Sequence, residues 1–172
     1  VIGGQIALGG LPMGGGQAPA QCEPALELMA RTPAARPYDL VRFAADGGTG
    51  AYRFTFVENN SGALLNEVTG AYLAGEQVGV IDRVKVVDDG CVGEAVAVIR
   101  VVRAMDVHPS SPQLAVNTEF RFEIGEGSGA FGYEIIRSES GANIDADGTF
   151  RSGPQTGVGT VRVTDGQTGE KV

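Results

Sequence analysis

The only histidine of the chain, His108, lies in the run Met105-Asp106-Val107-His108-Pro109-Ser110-Ser111-Pro112, beside two serines that are its nearest candidate nucleophiles. Neighbouring residues of an extended segment point apart, and no Gly-x-Ser-x-Gly turn occurs, so the run reads as a linker and no catalytic residue is assigned. Cys22 and Cys91 together with one histidine fall short of the four ligands of a structural zinc site. As an even pair they suit a disulfide in an oxidising compartment, the alternative being two free thiols in a reducing one. Oxygen ligands for calcium are the remaining chemistry. Asn143-Ile144-Asp145-Ala146-Asp147-Gly148 has alternating oxygen donors and a turn glycine, but its twelfth position is Pro154 and not a bidentate glutamate. It reads better as a hairpin turn. Asp82, Asp88, Asp89 and Asp106 are further weak calcium candidates, with a solvated acidic surface as the plain reading. Asn59-Asn60-Ser61 fits the glycosylation sequon, a short and unspecific motif.

The elements that must hold these residues sit in a chain of 172 residues with 42% hydrophobic, 6% aromatic and 20% charged content, 27 glycines and no tryptophan. That apolar share can bury a core and argues against wholesale disorder. A net charge of −8 repels phosphates and anionic lipid surfaces, so nucleic acid is excluded as a partner class. No apolar run approaches the length of a membrane span, and the start at Val1 without a basic leader reads as a processed or excised piece.

Two stretches repeat. Gly50-Ala51-Tyr52-Arg53-Phe54 returns as Gly129-Ala130-Phe131-Gly132-Tyr133, and Ser61-Gly62-Ala63 as Ser140-Gly141-Ala142. Gly70-Ala71-Tyr72-Leu73-Ala74-Gly75 then matches Gly148-Thr149-Phe150-Arg151-Ser152-Gly153, and Val84-Lys85-Val86-Val87-Asp88 matches Val161-Arg162-Val163-Thr164-Asp165. Matched aromatics, glycines and alternating valines over this span indicate two like units. Each reads as strands: Tyr52, Phe54 and Phe56, Val41 and Phe43, Phe120, Phe122 and Ile124, and Phe131, Tyr133 and Ile135 all alternate with polar or small residues. Glycine-rich turns such as Asp46-Gly47-Gly48-Thr49-Gly50 divide the strands at sandwich-like intervals. The segment Pro24–Arg31 contains helix formers but alternates, and is read as a strand.

The expected organisation is a Gly-rich arm over 1–22, a sandwich over 23–104 and a second over 105–172. The first unit ends in Glu94-Ala95-Val96-Ala97-Val98-Ile99-Arg100-Val101-Val102, whereas the second stops at Val172, where the corresponding strand would start. A sandwich without its edge strand leaves apolar core and backbone groups open. The filler is a continuation of the chain, a strand from a neighbouring molecule, or the arm itself, in which Val1, Ile2, Ile6 and Leu8 are the candidate assembly residues. The two cysteines fall at one end of the first sandwich, where a bridge would tie the arm down and stabilise by about 4 kcal/mol.

The order of Gly-rich turn, aromatic strand, Ser-Gly-Ala, Gly-x-Tyr/Phe-x-x-Gly and Val-x-Val-x-Asp over residues 25–172 resembles the bacterial immunoglobulin-like and cadherin-like repeats of secreted and surface proteins. The resemblance implies an all-β protein of two tandem Ig-like antiparallel sandwiches with no active site and no required cofactor. It further implies a structural, adhesive or spacer role at a bacterial cell surface or outside the cell, through protein–protein contacts and without membrane insertion. Two alternatives stand beside it: a fibre subunit that polymerises by donor-strand complementation of the second sandwich, and a carbohydrate-binding module. For the last, Tyr38 is the main ring not claimed by a core face.

Overall fold

The valines and aromatics that alternate in sequence alternate in burial along antiparallel strands, in a computed structural model that describes residues 18–172. The described residues contain no helix. The first eight strands are β1 (Glu27–Ala30), β2 (Ala34–Ala35), β3 (Leu40–Asp46), β4 (Tyr52–Glu58), β5 (Leu64–Leu65), β6 (Ala71–Leu73), β7 (Val80–Asp88) and β8 (Glu94–Val101). They form two four-stranded sheets, ordered β1-β3-β6-β5 and β2-β8-β7-β4, in which only β2 runs parallel to its neighbour. The inner faces bury Val41, Phe43, Phe54, Val84, Val86, Ile99 and Val101, which places the apolar half of each alternation in one core. Tyr72 lies at its centre, edge-on to Phe43 with ring centroids 5.8 Å apart. The segment Pro24–Arg31 is strand over Glu27–Ala30, with Leu26 and Leu28 buried.

The next seven strands are β9 (Asp106–His108), β10 (Glu119–Arg121), β11 (Glu123–Gly125), β12 (Phe131–Ser138), β13 (Asn143–Ile144), β14 (Thr149–Arg151) and β15 (Gly159–Asp165). β12 pairs β15, β10-β14-β13 make a second ribbon, and β11 pairs β9. At matched positions the two groups of strands make the same contacts. β4 shifts register between Phe56 and Glu58 and β12 between Ile135 and Arg137, and these bulges turn Val57 and Ile136 out to solvent. Gly75 and Gly153 each lie against a serine carbonyl so closely that a Cβ would stand 1.9 Å from the Ser61 oxygen and 1.7 Å from that of Ser140. Only glycine lets these backbones approach.

The groups differ in how well their cores are covered. The first contains a large buried cluster, whereas the second fully buries only Met105, Val107 and Val163 as a cluster, with Phe122, Ile124, Phe131, Tyr133 and Val161 half-buried against them. In the first group β7 is flanked by β4 and by β8 along its length. In the second, β12 covers one edge of β15, and among the described residues only the last few face the other: Val172 exchanges backbone hydrogen bonds with Val163 at 2.8 and 3.0 Å, and the Asp165 N–H donates to the Glu170 carbonyl. Among the described residues, none pairs the edge between Gly159 and Arg162 on that side.

Candidate functional site

His108 sits on β9 with its Nε2 2.7 Å from the Asp106 carboxylate, and both side chains are exposed. Ser110 and Ser111 make no hydrogen bond to it and line a groove further along. Among the described residues, His108 has Asp106 as its side-chain partner and neither serine reaches its ring.

The carboxylates singled out as calcium candidates do not converge, and among the described residues no group of three or more His, Cys, Asp or Glu side chains could hold a metal. Asp82 is fully buried, and its oxygens accept hydrogen bonds from the Asn60 N–H (2.6 Å), the Ser61 N–H (2.9 Å), the Ser61 hydroxyl and the Tyr72 hydroxyl (2.5 Å each). Burial, with the bond to Asp82, holds the Tyr72 phenol well above its usual range. Asp88 accepts from the Thr49 hydroxyl and from the N–H groups of Thr49, Gly50 and Gly90. The Thr49 hydroxyl leads in pulling that carboxyl down to about 2, against the opposing effect of burial. These oxygens are occupied by donors that fix turns, which leaves none aimed at a cation. Asp89 pairs Arg53, Asp145 pairs Arg151, and Asp147 accepts from the N–H and hydroxyl of Thr149 in the β13–β14 turn. Asn143 lies in the ladder opposite Arg151. The hairpin reading of 143–148 describes the turn as it stands.

Sequence reasoning passed over Asp165, which repeats Asp88. It is fully buried, and its carboxylate accepts from the N–H and hydroxyl of Ser128, the position matching Thr49, and from the N–H groups of Gln167 and Thr168. Burial works to raise it, but these bonds prevail and leave it below the usual carboxylate range. Val84–Asp88 and Val161–Asp165 had already been matched, so the signal was present. Glu170 had none. Its carboxylate accepts from the Met105 N–H at 2.7 Å and pairs the Arg36 guanidinium at 3.1 Å, which joins the two groups of strands. Arg103 adds to the joint by pairing Glu126, and its carbonyl accepts the Gly127 N–H.

Cys22 and Cys91 form a disulfide with Cα atoms 5.0 Å apart, next to the bridge between Gln21 and Val92. It fastens the start of the described chain to the β7–β8 turn. Val1, Ile2, Ile6 and Leu8 lie outside the described residues. The Asn59 amide is taken up on both sides by Ala63, and Ser61 is buried, so the sequon is part of a packed loop. Tyr38 is 68% exposed at φ 67° above a shallow depression of about 460 Å³, and its hydroxyl approaches Glu76 at 3.4 Å.

The larger feature is a groove of about 970 Å³ over the uncovered core of the second group. Val107, Phe122, Phe150, Val161, Val163 and Val172 supply its apolar floor, and the segments 110–116 and 155–160 its walls. It follows the open edge of β15.

No family model and no curated protein matches the chain. Among solved structures it is similar to the C-terminal 282-residue fragment of intimin, determined in complex with the intimin-binding domain of the translocated intimin receptor. The TM-score is 0.53 at 13% identity, over 85% of this chain and 62% of that fragment. A weaker likeness links it to Drosophila N-cadherin EC1-4, with TM-score 0.35, 14% identity and coverage of 91% and 46%. Human protocadherin-24 EC1-2 gives TM-score 0.34, 12% identity and coverage of 86% and 91%. The chain thus spans less than two thirds of the intimin fragment and less than half of the N-cadherin one. The intimin match and the strand content define the class: an all-β chain with an immunoglobulin-like fold.

Proposed function

We propose that the chain is a non-enzymatic structural and adhesive module of a bacterial extracellular or surface protein, built as two tandem Ig-like domains over 23–104 and 105–172 behind a Gly-rich arm. It works as a semi-rigid spacer. The observation that carries this reading is the joint: Glu170 holds the Met105 backbone and Arg36 at once, so the second domain is braced on the first by a charge-assisted bond and an ion pair. The disulfide supports a location outside the reducing cytosol and shields the 69-residue separation between Cys22 and Cys91 from extension. The intimin fragment, a protein of like fold, is in complex with the intimin-binding domain of its receptor, which agrees with a partner that is itself a protein.

Pulling single molecules from their ends tests the mechanical role. The expected trace has two discrete unfolding steps, and reduction lengthens one of them by about 240 Å, the extended length of the shielded segment. Smooth extension without steps would overturn the spacer reading.

The open edge of β15 favours a second reading, in which the same module is an assembly unit whose second domain accepts a strand.

A further inference from the structure

We infer that the groove beside β15 is filled by residues 1–8 of a second copy of this chain, laid antiparallel to β15 in a head-to-tail assembly. The inference rests on the assembly reading and adds the donor, its direction and its inward face.

The first group of strands supplies the template. There β8 lies antiparallel to β7, with Ala97 opposite Val84 and Ala95 opposite Val86, and it buries Ile99 and Val101 at its far end. Val161 and Val163 occupy the places of Val84 and Val86, and Val172, bonded to Val163 in both directions, stands where Ala95 stands. Among the described residues, none stands at the positions matching Val96 to Val101 beside Gly159–Arg162, where the groove runs. Their occupant must be extended, must place apolar side chains at every second residue, and must donate and accept along a free edge. About six residues, some 20 Å, fill it.

Residues 1–8 meet the pattern: Ile2, Ile6 and Leu8 share one face of an extended segment, with Gly4 between them, while Val1, Gly3, Gln5 and Ala7 share the other. Direction decides whose arm it is. The arm joins the described chain at Gln21 and Cys22, beside the β7–β8 turn, whereas the chain leaves the first group at the opposite end, past Val101. β15 runs from Gly159 at the far end of the second group toward Asp165 and the Glu170 joint. An arm reaching this groove from its own molecule would traverse the whole first group and arrive parallel to β15. An arm from a copy stacked on the far end enters at Gly159 and ends near Val172, antiparallel, as β8 does. Residues 9–17 then lead from the donated strand into the next copy, as 102–105 lead from β8 into the second group. Such a contact is heterologous and does not close on itself, so it propagates as a linear array.

Light scattering over a concentration series tests this on the 172-residue chain, on the chain lacking residues 1–10, and on the variants Ile6→Asp and Ala7→Asp. The expected result is a mass that rises at least about two-fold above 17.7 kDa with concentration for the full chain and for Ala7→Asp. Ile6→Asp and the deletion stay monomeric, and a peptide of residues 1–10 binds the deleted chain. Oligomers that persist after the deletion, or equal behaviour of the two aspartate variants, overturn the donor assignment while leaving an assembly unit. A monomer in every form overturns both the donor and the assembly reading.

Discussion

Replacing Asp82 by alanine deletes the acceptor for two backbone N–H groups and two hydroxyls, in a site closed to solvent. The Ser61 N–H and the Tyr72 hydroxyl are fully buried, and a buried donor left unsatisfied costs about 1–3 kcal/mol. The Asn60 N–H is partly buried, and Ser61 and Tyr72 can turn toward each other across the 3.4 Å that already separates their hydroxyls. Allowing for that rescue, the loss is about 3–5 kcal/mol of the stability of the first group, a large share of a typical domain total. The assay is equilibrium denaturation in urea of Asp82→Ala, Tyr72→Phe and the double variant. Tyr72→Phe removes one of the donors that Asp82→Ala strands, so the double variant is expected to recover about 1–2 kcal/mol relative to additivity. A loss below about 1 kcal/mol for Asp82→Ala, or strict additivity, would refute the account of Asp82 as the acceptor that ties the 59–63 loop to β7.

Acid should weaken the fold through the turn carboxylates. Asp88 is held at about 2 when folded, so the stability it contributes is complete above its unfolded value near 4 and drains away as pH falls from there toward 2. Thermal melts should be flat above about pH 5 and decline below pH 4, with a shallower decline in Asp88→Asn. An unchanged decline in that variant would remove Asp88 from the explanation. Reducing the Cys22–Cys91 bridge should cost the first group about 4 kcal/mol, read as a shift of roughly 15–30 °C in its melting step and none in that of the second group. Coincident shifts in both steps would show that the two groups do not melt separately. Glu170→Ala should leave both melting steps nearly in place while broadening the distribution of distances between the groups, because the bonds it removes lie at the joint. A collapse of the second step instead would assign Glu170 to its core.

Alternation made the strands legible because a half-buried strand must alternate: Val84 and Val86, Val161 and Val163, and Phe43 lie where the period-2 pattern puts them. The strand over Glu27–Ala30 was harder, since Leu, Met, Glu and Ala are helix formers, and its edge position against β3 overrode their propensity. Acidic residues were the least legible. Asp82 and Asp88 read as calcium candidates because an Asp near a turn or a strand edge looks the same in sequence whether it faces a cation or a set of N–H donors, and donors came from 21 and 39 residues away. Asp165 could have been found by following the repeat one step further to Thr49 and Ser128. Glu170 could not, because its partners Arg36 and Met105 are brought to it only by the stacking of the two groups. The floor of the groove beside β15 was not legible, because Val107, Phe122 and Phe150 reach it from strands distant in sequence.

The central claim, two Ig-like domains set end to end by a braced joint, is tested most directly by small-angle X-ray scattering on the chain lacking residues 1–10, in dilute solution. Two domains, 23–104 and 105–172, in line should give a radius of gyration of about 20–24 Å and a distance distribution with a shoulder at the separation of their centres. A radius near 16 Å with a single symmetric peak, as expected for one merged domain of this length, would contradict the account.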